Sequence, residues 1–325
     1  MKKKLLLIFQ LLVSSGSLAW LFQRHDLRNQ IGNVFHHAHP GWLLLGFLIA
    51  GFGNYLGIFR WGIFVRMLGL NLTTGEVLRM GLVGLFFNNF LVGAVGGDAV
   101  KVVWLAARGR KKALALMSVA MDRMSGILAL VFCSLLFMTP RLEWLRQSHT
   151  VAGLIKAIFI YLLIIGGLFL ISLLVASKGL AKYIPKWGPG REQMIELEDA
   201  YRRFIGHWRQ ALVAGGVSVF MFFAYFMTFY CAARAFDVHV PILDFLAIMP
   251  TVDIVAALPV SVGGFGVREH LFTVLLGDLC KVTSAQAVLV SLGGALLTMV
   301  WGLGGLLVLP SYRRATHTNA SEVAS

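Results

Sequence analysis

Asp98, Lys101, Asp122, Arg123, Asp253, Arg268 and Glu269 lie in stretches otherwise apolar enough to enter a bilayer. A charge there is costly, so a chain keeps it when it pairs, lines a polar cavity or binds something. Asp98 and Lys101 follow Val92-Gly93-Ala94-Val95-Gly96-Gly97, and Arg268 and Glu269 follow Gly263-Gly264-Phe265-Gly266. A helix beginning just after such a break offers unpaired N–H groups and a positive dipole end to an anion. Gly96, Gly97, Gly263 and Gly264 permit close backbone approach. Lys101 and Arg268 fall about one turn into those half-helices, so a phosphate resting between N–H groups and these bases is the chemistry the spacing favours. Arg is the better bidentate phosphate partner, while Lys acts as a point charge.

The bland alternative is that these charges only pair with each other, Asp122 with Lys101 or Arg268 and Glu269 with Arg123. Asp253 is a candidate proton carrier, or equally a satisfied buried acid. Arg60 is a weaker candidate, because it lies one to two turns from its helix end, where a side chain can snorkel. His36, His37 and His39 cluster without an acid or cysteine nearby, so no metal site is expected. Cys133, Cys231 and Cys280 stand at no metal or redox spacing and read as membrane-embedded thiols.

The elements that must position these residues follow from composition. Of 325 residues, 58% are hydrophobic and 14% charged, with mean hydropathy +0.78. A soluble domain has roughly 45–50% apolar and about 25% charged residues. Soluble, disordered and disulfide-scaffold classes are excluded, and an integral membrane protein remains. The net charge of +14 places bases mainly in loops, as the positive-inside rule requires, rather than pointing to nucleic acid.

An apolar run at 5–22 behind Lys2, Lys3 and Lys4 reads as a retained first helix in preference to a signal peptide. Spans follow at 42–66, 113–138, 151–176, 211–234 and 284–309. The loop at 177–210 is basic and placed inside. The segment 77–107 lies between two basic loops, so it enters, turns at its glycines and returns, which protein or a watery cavity must cover. The segment 241–278 repeats the pattern.

An offset that carries Val92 onto Pro259 also carries Gly96-Gly97 onto Gly263-Gly264 and Lys101 onto Arg268. The same offset carries span 42–66 onto 211–234 and 113–138 onto the last span. Each repeat, 42–138 and 211–309, is span, broken hairpin, span. The odd span 151–176 reverses one repeat against the other, and inverted repeats with discontinuous helices point to a transporter site near the midplane. The expected fold is therefore an all-α integral membrane protein of about six full spans plus two re-entrant hairpins in an inverted repeat. It forms a single transmembrane domain over 1–315, with a disordered tail at 316–325.

Asn88-Asn89-Phe90-Leu91-Val92-Gly93-Ala94-Val95-Gly96-Gly97-Asp98 resembles the first signature of the lysylphosphatidylglycerol synthase transmembrane-domain family, also called flippase-like or UPF0104 proteins. Asp122-Arg123 resembles its acid–arginine pair. The stretch from Leu258-Pro259 through Gly263-Gly264 to Arg268-Glu269 is similar to its second signature. The chain departs from the pattern at Val92, where the family usually has proline, and at Lys101, where it often has arginine. The last span has Leu292-Gly293-Gly294 where many members carry an intramembrane arginine.

The resemblance implies movement of a lipid across the bilayer, here without the soluble synthase domain of the bifunctional members. The expected substrate is an anionic or phosphate-bearing lipid, moved by alternating access of the two repeats. The expected binding residues are Arg268, Lys101 and Arg123, with Asp122, Glu269 and Asp98 as partners. Gly96, Gly97, Gly263, Gly264, Pro259 and Asn89 complete the expected binding set, with Gly263 and Gly264 shaping the turn. No catalytic residue, metal or cofactor is expected, and the chain reads as a carrier rather than an enzyme. The alternatives are an accessory partner of a lipid synthase, or an intramembrane enzyme using His270 beside Glu269. A homo-oligomer stays open. The expected location is a bacterial cytoplasmic membrane, with both termini cytoplasmic.

Overall fold

The computed structural model describes residues 34–90, 96–147, 152–160, 206–257 and 263–322, with isolated positions between them and side chains as far as residue 309. The expected first span, most of 151–176, most of the loop 177–210 and Pro259 lie outside the described residues. All regular structure described is helical. In chain order the helices are α1 Pro40–Met67, α2 Thr74–Phe90, α3 Gly96–Ala107, α4 Lys112–Met138, α5 Leu142–Leu145, α6 Trp208–Ala235, α7 Ile242–Ala256, α8 Val267–Cys280 and α9 Ser284–Glu322. Residues 152–160 are also helical. Helices Pro40–Met67, Lys112–Leu145, Trp208–Ala235 and Ser284–Leu309 are long and apolar enough to cross a membrane. The backbone of α9 stays helical through Glu322, where the sequence suggests an irregular tail.

Local signals explain the helix ends. Pro40 starts α1 at a position whose N–H is unpaired anyway. Thr73 and Glu76 form a reciprocal capping box at α2: the Glu76 amide donates to Thr73 Oγ1 at 3.2 Å, and the Thr73 amide to Glu76 Oε2 at 2.9 Å. Thr283 and Gln286 repeat the device at α9. Gly263, Gly264 and Gly266, with φ of 59°, 79° and 85°, make a turn before α8 that other residues rarely adopt.

α1 lies along α6, and the rest of the packing is built around that pair. α2 packs on α9, and α7 on α4. α3 packs on α4, and α8 on α9. α4 touches α6, and α9 touches α1. Exchanging α1 with α6, α2 with α7, α3 with α8 and α4 with α9 maps these contacts onto one another. The two largest apolar clusters among the described residues lie around Trp61, Phe64, Met80 and Leu105 and around Phe226, Phe229, Phe245 and Phe272. Leu44, Leu48, Phe52, Leu212, Phe220 and Leu303 remain exposed, a distribution that suits a lipid surround.

α2 and α3 run antiparallel. At one end the Gly97 amide donates to Asn88 Oδ1 at 2.8 Å. At the other, Arg108 pairs with Glu76. Burial raises the Glu76 pKa, but the Thr73 amide and hydroxyl and the Arg108 guanidinium outweigh it and hold the carboxyl below its ordinary value. This contact is intact above that ordinary value and weakens as pH falls through the lowered one. The helices approach so closely that a Cβ on Gly97 would lie 2.0 Å from the Gly84 carbonyl oxygen. Gly97→Ala must push α3 off α2, and overpacking of this kind costs about 1–3 kcal/mol. A clearly lowered Tm in detergent is expected, while Gly75→Ala, with open space around it, should leave Tm unchanged or slightly raised.

The contacts of α2 and α7 with their partner spans differ in kind. α2 meets α9 backbone to backbone: a Cβ on Gly305 would lie 2.2 Å from the Leu82 carbonyl oxygen. α7 meets α4 through side chains, with Ile254 and Val255 packed near Leu130 and Val131.

Candidate functional site

Between the two apolar clusters lies a cavity of about 380 Å³. α1 lines it with Asn54 and Arg60, α2 with Asn88, and α3 with Asp98 and Lys101. α4 contributes Asp122 and Arg123, α6 Tyr225, α7 Asp253 and α9 Thr298. Both halves of the chain therefore contribute, and three cations share the space with three carboxylates.

The carboxylates are not equivalent. Asp122 accepts from Arg60 Nε at 2.7 Å, and both side chains are about one-tenth exposed. Arg60 Nη1 also donates to Ser218 Oγ at 3.1 Å, and Ser218 contacts Ser125 Oγ at 2.8 Å. This network joins α1, α4 and α6. Asp98, in the first turn of α3, accepts from Arg123 Nε at 2.5 Å. An acid there is also favoured by the helix dipole. Asp253 makes no salt bridge among the described residues; it faces the Tyr225 hydroxyl and the Arg268 guanidinium.

Lys101 is buried, and its Nζ lies over the Trp61 ring at 4.7 Å from the centroid. Asp122 and Asp98 are within electrostatic reach, but neither forms a salt bridge with it. Its stem passes Gly84, where a Cβ would meet Lys101 Cε at 2.9 Å. The small residue on α2 is thus what lets the ammonium reach the cavity.

The remaining sequence-predicted residues are placed as follows. Arg268 does not line the cavity. It stands at N2 of α8, donates from Nη2 to the Gly263 carbonyl at 3.0 Å and lies over the Phe229 ring at 5.6 Å. Glu269 is fully buried, accepts from the Gly266 amide at its own helix start and from Ser291 Oγ at 2.6 Å, and does not pair with Arg123. Gly263 and Gly264 shape the turn, and Gly96 and Gly97 begin α3. Asn89 turns away from the cavity; its Nδ2 is buried close to Gly302 of α9, and Asn88 takes the lining position. His270 is exposed.

Sequence reasoning undervalued Arg60 and missed Asn54, Tyr225 and Ser218. Arg60, the weaker candidate, is buried and pairs with Asp122. Its signal was a base inside an apolar span that also holds Asn54. Tyr225 carried no signal within its aromatic-rich span.

The sequence profile of the family described as lysylphosphatidylglycerol synthase TM region matches residues 7–316. No curated protein matches the chain.

Proposed function

From the premise that the chain belongs to the lysylphosphatidylglycerol synthase TM-region family, we propose that it carries a phosphate-bearing lipid between the leaflets of a bacterial cytoplasmic membrane. The cavity receives the head group, and the tails stay in the bilayer. Lys101 makes the first contact with the phosphate, because it is the cavity's one cation without a salt bridge among the described residues. That observation carries the reading. Arg60 and Arg123, each held by an aspartate, form the charged wall around it.

The two halves act as inverted repeats. The exchange of contacts between α1–α4 and α6–α9 supports this, as does the offset that aligns the glycine turns. The antiparallel α2–α3 pair, with Glu76 and Arg108 joining its open end, supports a re-entrant hairpin. In this reading the protein moves lipid without altering it.

Native mass spectrometry on gently purified protein tests the reading. Wild type is expected to retain a phosphate-bearing lipid, Lys101→Met to lose it and Arg268→Met to keep it. The same lipids on wild type and Lys101→Met would overturn the assignment of Lys101 to the head group.

A further inference from the structure

Two charged groups in the cavity are left over when the salt bridges are drawn. Arg60 holds Asp122, and Arg123 holds Asp98. Lys101 and Asp253 line the same cavity, and neither makes a salt bridge among the described residues. They are of opposite sign and come from opposite halves of the chain.

The surroundings of Asp253 can be followed element by element. α6 offers the Tyr225 hydroxyl. α8 offers Arg268, whose guanidinium is engaged by the Gly263 carbonyl and the Phe229 ring, and Glu269, which is turned into its own helix start. α4 offers Asp122 and Arg123, both already paired. Residues 152–160 bring the apolar Ile158 against Ile254. Farther along α7, Asp244 is paired with Arg141 at 2.9 Å.

A phosphodiester arriving at Lys101 adds one negative charge to this small space. An ionised Asp253 adds another, and like charges sharing a low-dielectric site disfavour each other's charged form. Resting on the reading of the cavity as a phosphate head-group site, we infer that Asp253 takes up one proton from water as the head group binds, so that phosphate and proton load and leave together. Arg268 is present in both states and does not change the sign. Linkage makes the effect reciprocal: protonation strengthens phosphate binding by the factor through which phosphate strengthens protonation.

The test is calorimetric titration of the full chain in detergent with dihexanoyl phosphatidylglycerol, whose phosphodiester does not titrate near neutrality. Between about pH 5 and 8, wild-type affinity is expected to fall as pH rises, approaching about tenfold per unit on the steep limb. Repeating the titration in two buffers of different ionisation enthalpy should count close to one proton taken up per head group. Asp253→Asn should bind with an affinity independent of pH and take up none. Wild-type binding with flat pH dependence and no proton uptake overturns the inference and leaves the head-group reading intact. Wild-type pH dependence surviving in Asp253→Asn places the proton elsewhere and also overturns it. No binding at any pH brings down both. The wild-type measurement stands by itself if the variant does not fold.

Discussion

Lys101→Met is expected to slow the flipping of short-chain fluorescent phosphatidylglycerol in proteoliposomes by about thirtyfold or more, while Lys101→Arg stays within about tenfold of wild type. Removing one partner of a desolvated charge contact costs about 2–5 kcal/mol, and each 1.4 kcal/mol is tenfold. The loss is large because the neighbouring cations are committed: Arg60 to Asp122 and Arg123 to Asp98. Methionine keeps the length and the contact with Trp61 but not the charge. Arginine keeps the charge, but its wider head must pass Gly84, where Lys101 already runs close. Dithionite quenching of the outer leaflet reads the rate, and an unaffected Lys101→Met would remove the residue from the transport site.

The second large effect is on stability. Asp122→Ala is expected to destabilise the protein by about 3–5 kcal/mol, because breaking a buried pair leaves an uncompensated charge. Arg60 would keep its contact with Ser218, a neutral hydroxyl that cannot balance a guanidinium. Replacing both partners, Arg60→Met with Asp122→Leu, should recover most of the loss, since a well-packed apolar pair avoids the desolvation cost. Melting curves of wild type, Arg60→Met, Asp122→Leu and the double variant in one detergent give the coupling directly. If the double variant melts no higher than Asp122→Ala, the pair is not the source of the effect.

The all-helical membrane class and the glycine turn before α8 could be read from one dimension. Residue number fixes depth along a helix well, and Asp98, Lys101, Asp122, Arg123 and Asp253 do meet in one cavity. Which way a side chain faces around the helix axis is harder, because nearly every position in an apolar span looks alike. Asn88 and Asn89 are neighbours in sequence, yet only Asn88 faces the cavity. Arg60 ranks low from sequence because distance from a helix end does not show what lies beside it. Arg268 and Glu269 stand outside the cavity lining for a different reason. Their spacing after the glycines serves the turn itself: Glu269 satisfies the Gly266 amide, and Arg268 reaches back to the Gly263 carbonyl. A local hydrogen-bonding role and a ligand-binding role leave the same sequence mark.

The halves are alike in plan but unlike in stiffness. Where Gly305 lets α9 reach the Leu82 carbonyl, two backbones are locked at a separation that no rotamer change can relax. Where α7 rests on α4, the contact is made by Ile254, Val255, Leu130 and Val131, whose side chains can repack as the helices slide. In the alternating access proposed above, the α2–α9 joint would therefore serve as the pivot and the α7–α4 joint as the sliding contact. On that proposal α2 keeps its seat on α9, beside Lys101, and α7, with Asp253, is the element that travels.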